Sequence, residues 1–145
     1  METVIEGNDI WFVARVRRPD NVILSRDDIS GSGGSNSDAL QIRIYDISKD
    51  SLGTGTNGRQ VFQSNQADNN LSDVLLTATS GSALTTDGFW NGLDSEGYNF
   101  IYRVRASGAA YTAGRRFQAE FAFETTAYGT IRWTEMFYVK SALSV

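Results

Sequence analysis

Cysteine and histidine are both absent from the chain, proline occurs once in 145 residues, and the longest apolar run is the five residues from Ile10 to Ala14. Without cysteine there are no disulfides and no thiol nucleophile. Without histidine as well, zinc sites built on thiolate or imidazole and every mechanism needing an imidazole base are excluded. The lack of thiols is neutral as to redox compartment, because a cysteine-free core is stable in either. A run of five apolar residues falls far short of the ~20 that a membrane-spanning helix needs. Met1-Glu2-Thr3 offers neither the basic start nor the apolar stretch of a signal peptide, so a soluble chain made in the cytoplasm is expected. A net charge of −4 and a pI near 4.7 provide no cationic footprint. Neither nucleic acid nor an anionic membrane is therefore an expected partner.

What is present is aromatic side chains, at 12% of the chain, and 14 glycines. That balance of core fillers and turn formers suits an all-β protein. The length fits one domain spanning residues 1–145. The clearest pattern runs from Arg115 to Lys140. Phe117, Ala119, Phe121 and Phe123 alternate with Gln118, Glu120 and Glu124, the period of two that sets one strand face in a core and the other in water. Ala127-Tyr128-Gly129 supplies a turn. Ile131, Trp133, Phe137 and Val139 then alternate with Arg132, Thr134, Tyr138 and Lys140, with Met136 facing outward and Glu135 interrupting the apolar side.

Earlier segments add strands at Thr3–Glu6, Ile10–Arg18, Asp38–Ile47, Arg59–Gln63 and Tyr98–Arg105. Val22–Leu24 reads as a brief strand or an apolar loop, and Asp73–Leu76 as a helical turn or a strand. Asn57-Gly58 marks a hairpin. Gly31 to Ser37 has the composition of a flexible loop, and Ser80 to Glu96 is a long loop retaining Phe89, Trp90 and Leu93. Seven to eight strands without a convincing helix favour an antiparallel sandwich with long loops over a closed barrel. The expected core is Phe12, Val16, Ile42, Ile44, Phe100, Tyr102, Phe117, Phe121, Phe123, Ile131, Trp133, Phe137 and Val139.

Acid–base chemistry is left to carboxylates alone. Asp27-Asp28, Asp87 and Asp94-Ser95-Glu96 all lie in expected loops, and a glycosidase couple or a Ca²⁺ site would need their oxygens to converge. The reading is of solvated loop carboxylates, with no catalytic residue, metal or cofactor. Arg15, Arg17, Arg43, Arg103, Arg105 and Arg132 fall on outward strand faces. There they either pair with Glu120 and Glu124 across the sheet or, with Trp11, Tyr45 and Tyr138 beside them, dock a neighbouring protein, since arginine and aromatics are enriched at interfaces. Phe89, Trp90 and Leu93 read as a lid over the sandwich end or as an anchor for a partner.

Two segments carry a family resemblance. Asp94-Ser95-Glu96-Gly97-Tyr98-Asn99-Phe100 echoes the Asp-x-x-x-Tyr entry to the penultimate strand of immunoglobulin domains. Ala113-Gly114-Arg115-Arg116-Phe117-Gln118-Ala119-Glu120-Phe121 looks like the same entry in bacterial and phage Ig-like modules, and it leaves the closing hairpin as the last two strands. Trp90 through Val139 as a whole resembles small Ig-like virion proteins of tailed bacteriophages and, more loosely, the N-terminal domains of baseplate upper proteins. The resemblance implies an Ig-like β-sandwich that acts as a non-enzymatic virion structural protein. The type implied is a capsid decoration or cement protein, present as a homo-oligomer or in many copies on the major capsid protein or another virion protein. A neck, tail or baseplate component is the alternative within that class. From another class, a carbohydrate-binding module would use loop aromatics such as Trp90 and Tyr111.

Overall fold

A computed structural model describes residues 2–30, 39–48, 59–65, 71–77, 84–90, 94–105 and 111–141. Seven strands lie among them: β1 Glu2–Ile5, β2 Asp9–Ala14, β3 Leu40–Asp46, β4 Arg59–Asn65, β5 Phe100–Arg105, β6 Arg116–Glu124 and β7 Thr130–Lys140. They form a mixed five-stranded sheet in the order β1-β7-β6-β3-β4 and a two-stranded sheet of β2 and β5. The chain is mostly β. A single 3₁₀ turn at Arg26–Asp28 and one short helix, α1 (Leu71–Val74), are the helical elements among the described residues.

The closing hairpin forms as its alternation predicts. Thr125 and Gly129 close the turn, the Thr125 amide donating to the Gly129 carbonyl at 3.0 Å and Gly129 taking φ 72°. Phe117 then faces Phe137, and Phe121 faces Trp133, across the strand pair. Both pairs are stacked, with centroids 5.0 and 5.1 Å apart. From the smaller sheet, Phe12 meets Phe121 and Phe137 edge-on, while Phe100 meets Phe121, Phe123 and Trp133 in the same way. Each such edge contact adds about 0.5–1.5 kcal/mol beyond the area it buries. Of the expected core, Phe12, Val16, Ile42, Ile44, Phe100, Phe117, Phe121, Phe123, Phe137 and Val139 are buried. Tyr102, Ile131 and Trp133 are half-buried against that core, towards its margin.

Several expectations are corrected. The strands are not wholly antiparallel, because β1 runs parallel to the end of β7, with Val4 opposite Val139. The strand expected over Ile10–Arg18 stops at Ala14. Beyond it the chain doubles back: Arg17 bridges Ile23, and the amides of Arg18 and Leu24 donate to the carbonyls of Val22 and Val16. Pro19 and a left-handed Asn21 (φ 68°) make this tight reversal, asparagine being among the few side chains that tolerate such a conformation. Val22–Leu24 is therefore the return arm of a small hairpin. Asp73–Leu76 divides between the two readings: Asp73 and Val74 close α1, and Leu75 forms an antiparallel bridge with Phe100. The strand expected from Tyr98 begins at Phe100, since Tyr98 bridges Thr85 in the preceding loop. Arg59–Gln63 extends two residues further, pairing antiparallel to β3 as a hairpin partner should. The Asn57-Gly58 turn and the Gly31–Ser37 segment lie outside the described residues.

Several polar groups lie in the interior or half-buried beside it. Asn99 is fully buried, its side-chain oxygen accepting from the Val16 amide at 2.7 Å and its nitrogen donating to the carbonyls of Val16 and Leu24 at 2.9 and 3.0 Å. Asp46 ends the inner face of β3 with no exposed surface, 2.5 Å from the Arg115 Nε, and it also accepts from the Ser48 amide. Burial opposes its ionisation, but those donors outweigh it and hold the carboxyl below the usual carboxylate range. Glu135 occupies the core-facing side of β7, where burial and the neighbouring Glu2 carboxylate push it up to about 7.

Candidate interaction face

The outer face of the five-stranded sheet is built by the alternate residues of the strands whose other faces fill the core. Strand β3 contributes Gln41, Arg43 and Tyr45, β6 contributes Gln118, Glu120 and Ala122, and β7 contributes Arg132, Thr134, Met136 and Tyr138. Register places Arg43 beside Glu120, Gln41 beside Ala122, and Ala122 beside Arg132. Ala122 has long neighbours on both sides, so a shallow hollow of about 120 Å³ opens over it, bordered by Gln41, Arg43, Glu120, Arg132 and Thr134. Met136, 41% exposed, is one of two large apolar side chains standing out to solvent among the described residues. The alternation already placed Met136 outward, without giving it a role, but it did not show the hollow. The only trace of the hollow in the sequence is a lone small residue, Ala122, at an outward position between two phenylalanines.

The arginines expected on a single face divide among three places. Arg43 and Arg132, with Tyr45, lie on the five-stranded face. Arg103 and Arg105, with Trp11, lie on the outer face of the two-stranded sheet, where Arg103 is 3.7 Å from Asp9 and 5.7 Å over the Trp11 ring. Arg15 and Arg17 lie just beyond β2, tied to the residues that precede β5. Arg15 meets Asp94 at 2.8 Å and Glu96 at 3.3 Å, and Arg17 meets Glu96 at 3.1 Å. The expected cross-sheet pairs do not form: no carboxylate among the described residues lies within the 4.0 Å of an ion pair from Arg43 or Arg132, although Glu120 is the cross-strand neighbour of Arg43.

The loop carboxylates are likewise engaged instead of simply solvated. Asp94 accepts from the amides of Glu96 and Gly97, from the Trp90 Nε1 at 3.0 Å and from Arg15. Partial desolvation works against its ionisation, but these donors prevail and hold it at about 2. Asp87 accepts from the Tyr98 hydroxyl at 2.8 Å, and the same burial and charge push that phenol up to about 12. Asp28 closes the 3₁₀ turn through Ser25 and meets Arg18 at 3.3 Å, and Arg18 in turn lies 4.6 Å over Tyr128. No group of three or more acidic side chains that could hold a metal occurs among the described residues.

Of the loop aromatics, Trp90 is a lid: it is 7% exposed and stacked on Tyr98 at 5.8 Å. Phe89 remains 46% exposed and packs on Trp11 at 4.6 Å. Leu93 lies outside the described residues. Tyr111, the other aromatic considered for a sugar site, is buried against Phe117.

No family model, curated protein or solved structure matches this chain. Its chemistry therefore has to be read from the side chains themselves. No helix among the described residues is long and apolar enough to cross a membrane. The arrangement offers surface for adhesion: an open sheet face on one side and an aromatic cluster of Trp11 and Phe89 on the other.

Proposed function

We propose that the chain is a non-enzymatic structural protein of a virion, an Ig-like sandwich that decorates or cements a capsid by burying aromatic and arginine side chains against the shell. The observation that carries this reading is the uncovered five-stranded face, where Arg43, Tyr45, Arg132, Met136 and Tyr138 stand together above a filled aromatic core. Arginine, methionine and aromatic residues are the types concentrated where proteins meet. Support for the Ig-like assignment comes from the strand order. The second and fifth strands pair apart from a sheet that holds the third, sixth and seventh, with the first strand added parallel to the last. The virion assignment rests on the resemblance carried by Trp90 through Val139.

A permanent interface of this kind buries more than ~2,000 Å² in total, and each copy stabilises the particle only while it is bound. The sugar-binding reading loses ground because Trp90 and Tyr111 are turned inward. The deciding experiment is cosedimentation of the purified chain with empty capsids of a tailed phage, alongside a glycan array. Saturable capsid binding with a silent array is the expected result. Glycan binding without capsid binding would replace this reading with the carbohydrate-binding one, and labelling of intact particles would separate head from neck or tail.

A further inference from the structure

Six of the arginines in the described residues have a carboxylate within 4.0 Å: Arg15, Arg17, Arg18, Arg59, Arg103 and Arg115. Arg43 and Arg132 are among the five that have none, and they border one hollow, diagonally across β6. The two arginines line it together with Ala122, Gln41 and Thr134. Glu120 is the single anion of the hollow. Two cations and one anion leave a net of one positive charge (2 − 1 = 1). We propose that this hollow is a carboxylate-binding subsite that takes one acidic side chain from a segment of the partner protein. The inference rests on the reading of this face as a docking surface and names the chemistry of what docks there.

Charge complementarity supports the choice. A guanidinium presents a planar fork of donors that matches a carboxylate, and two of them converging on one hollow can share its two oxygens. Gln41 and Thr134 can each add a hydrogen bond. A nucleic acid is the poorer occupant, because a chain of net charge −4 repels a polyanion at long range, whereas one inserted side chain feels mainly the local pair. The residual Glu120 tunes the site to a single carboxylate.

The subsite is tested on the intact chain with an acetylated, amidated tripeptide of glutamate as probe and the glutamine tripeptide as control, following the arginine Nε–H resonances by NMR. Saturable shifts at Arg43 and Arg132 with the glutamate peptide alone are expected, weakening as salt is raised. The Arg43→Gln/Arg132→Gln variant should bind the probe at least about fivefold more weakly and Glu120→Gln severalfold more tightly, both keeping the wild-type near-UV spectrum. Absence of shifts, or equal shifts at Arg105 on the other sheet, would overturn the proposal. In the capsid assay the double variant should lose at least about tenfold in affinity. If wild-type chain binds capsids and the double variant binds them equally, the subsite is wrong and the docking reading survives. If wild-type chain binds no capsid but the peptide shifts appear, the docking reading fails and the subsite stands.

Discussion

Asn99 shows how one side chain can replace a missing stretch of ladder. Between Ala14 and the doubled-back segment at Leu24 no strand partner is available, and the carboxamide supplies one acceptor and two donors in its place. Replacing it with leucine, of similar size, would leave an amide and two carbonyls without these partners in a fully buried place. The expected loss is about 2–4 kcal/mol in urea unfolding. Gly97 is the second such position. It takes φ 102°, and a Cβ there would stand 2.3 Å from the Thr85 carbonyl oxygen, part of the bridge that holds the lid loop. Gly97→Ala is expected to cost distinctly more than Gly129→Ala, where the φ is also positive but nothing lies within 4 Å and only the roughly 1–2 kcal/mol conformational penalty applies. Parallel thermal melts of the two variants check the order.

Glu135 makes stability depend on pH. Its folded-state pKa of about 7 lies above the ordinary 4.5 of a glutamate, burial being the main cause and Glu2 the lesser. The folded chain therefore binds this proton more tightly than the unfolded chain does. The favourable contribution is complete below about 4.5 and is lost as pH rises through 7. Glu135→Gln is accordingly expected to raise the Tm at pH 8 and to leave it nearly unchanged at pH 4. Asp94 works in the opposite sense in a separate window. Held at about 2 in the fold, it supports stability above about 4 and loses that support as pH falls towards 2.

At the scale of elements, the parts set by local periodicity were legible in the sequence and those set by distant partners were not. The alternation of Phe117 to Phe123 against Ile131 to Val139 identified the last two strands and their core faces without further help. The early end of β2 was not legible, because it depends on an amide 83 positions away from Val16. For the same reason outward spacing could not distinguish Arg15, which meets Asp94 across 79 positions, from Arg43, which meets no carboxylate among the described residues. The lid loop follows from these ties. Asp94 gathers Arg15, the Trp90 indole and two amides around one carboxylate, so Asp94→Asn should loosen the whole segment from Thr85 to Gly97. Faster hydrogen exchange at Gly97 and red-shifted Trp90 emission are the expected signs, with exchange in β6 unaffected.

At the scale of the whole molecule, the two sheets leave unequal surfaces. The smaller sheet covers its outer side with Trp11 and Phe89, packed on each other and steadied by Arg103. The larger sheet leaves Met136 exposed and Arg43, Arg116 and Arg132 without a carboxylate partner among the described residues. The sequence identified the residue types on that face but not their grouping, since grouping depends on which strands become neighbours. Met136→Lys should leave the melting temperature within about 2 °C, because a single exposed substitution changes stability by no more than about 0.5 kcal/mol, while weakening the capsid cosedimentation that the proposed docking role entails.

The pairing of β1 with the far end of β7 bears on how the chain comes together during synthesis. Residues 2–5 leave the ribosome roughly 130 residues before residues 137–140, their neighbours on the sheet. Until then Val4 lacks the partner strand it has in the fold, and β1 waits while the rest of the sheet is made. A ribosome stalled before Phe137 would therefore hold a chain whose first strand remains open to proteases.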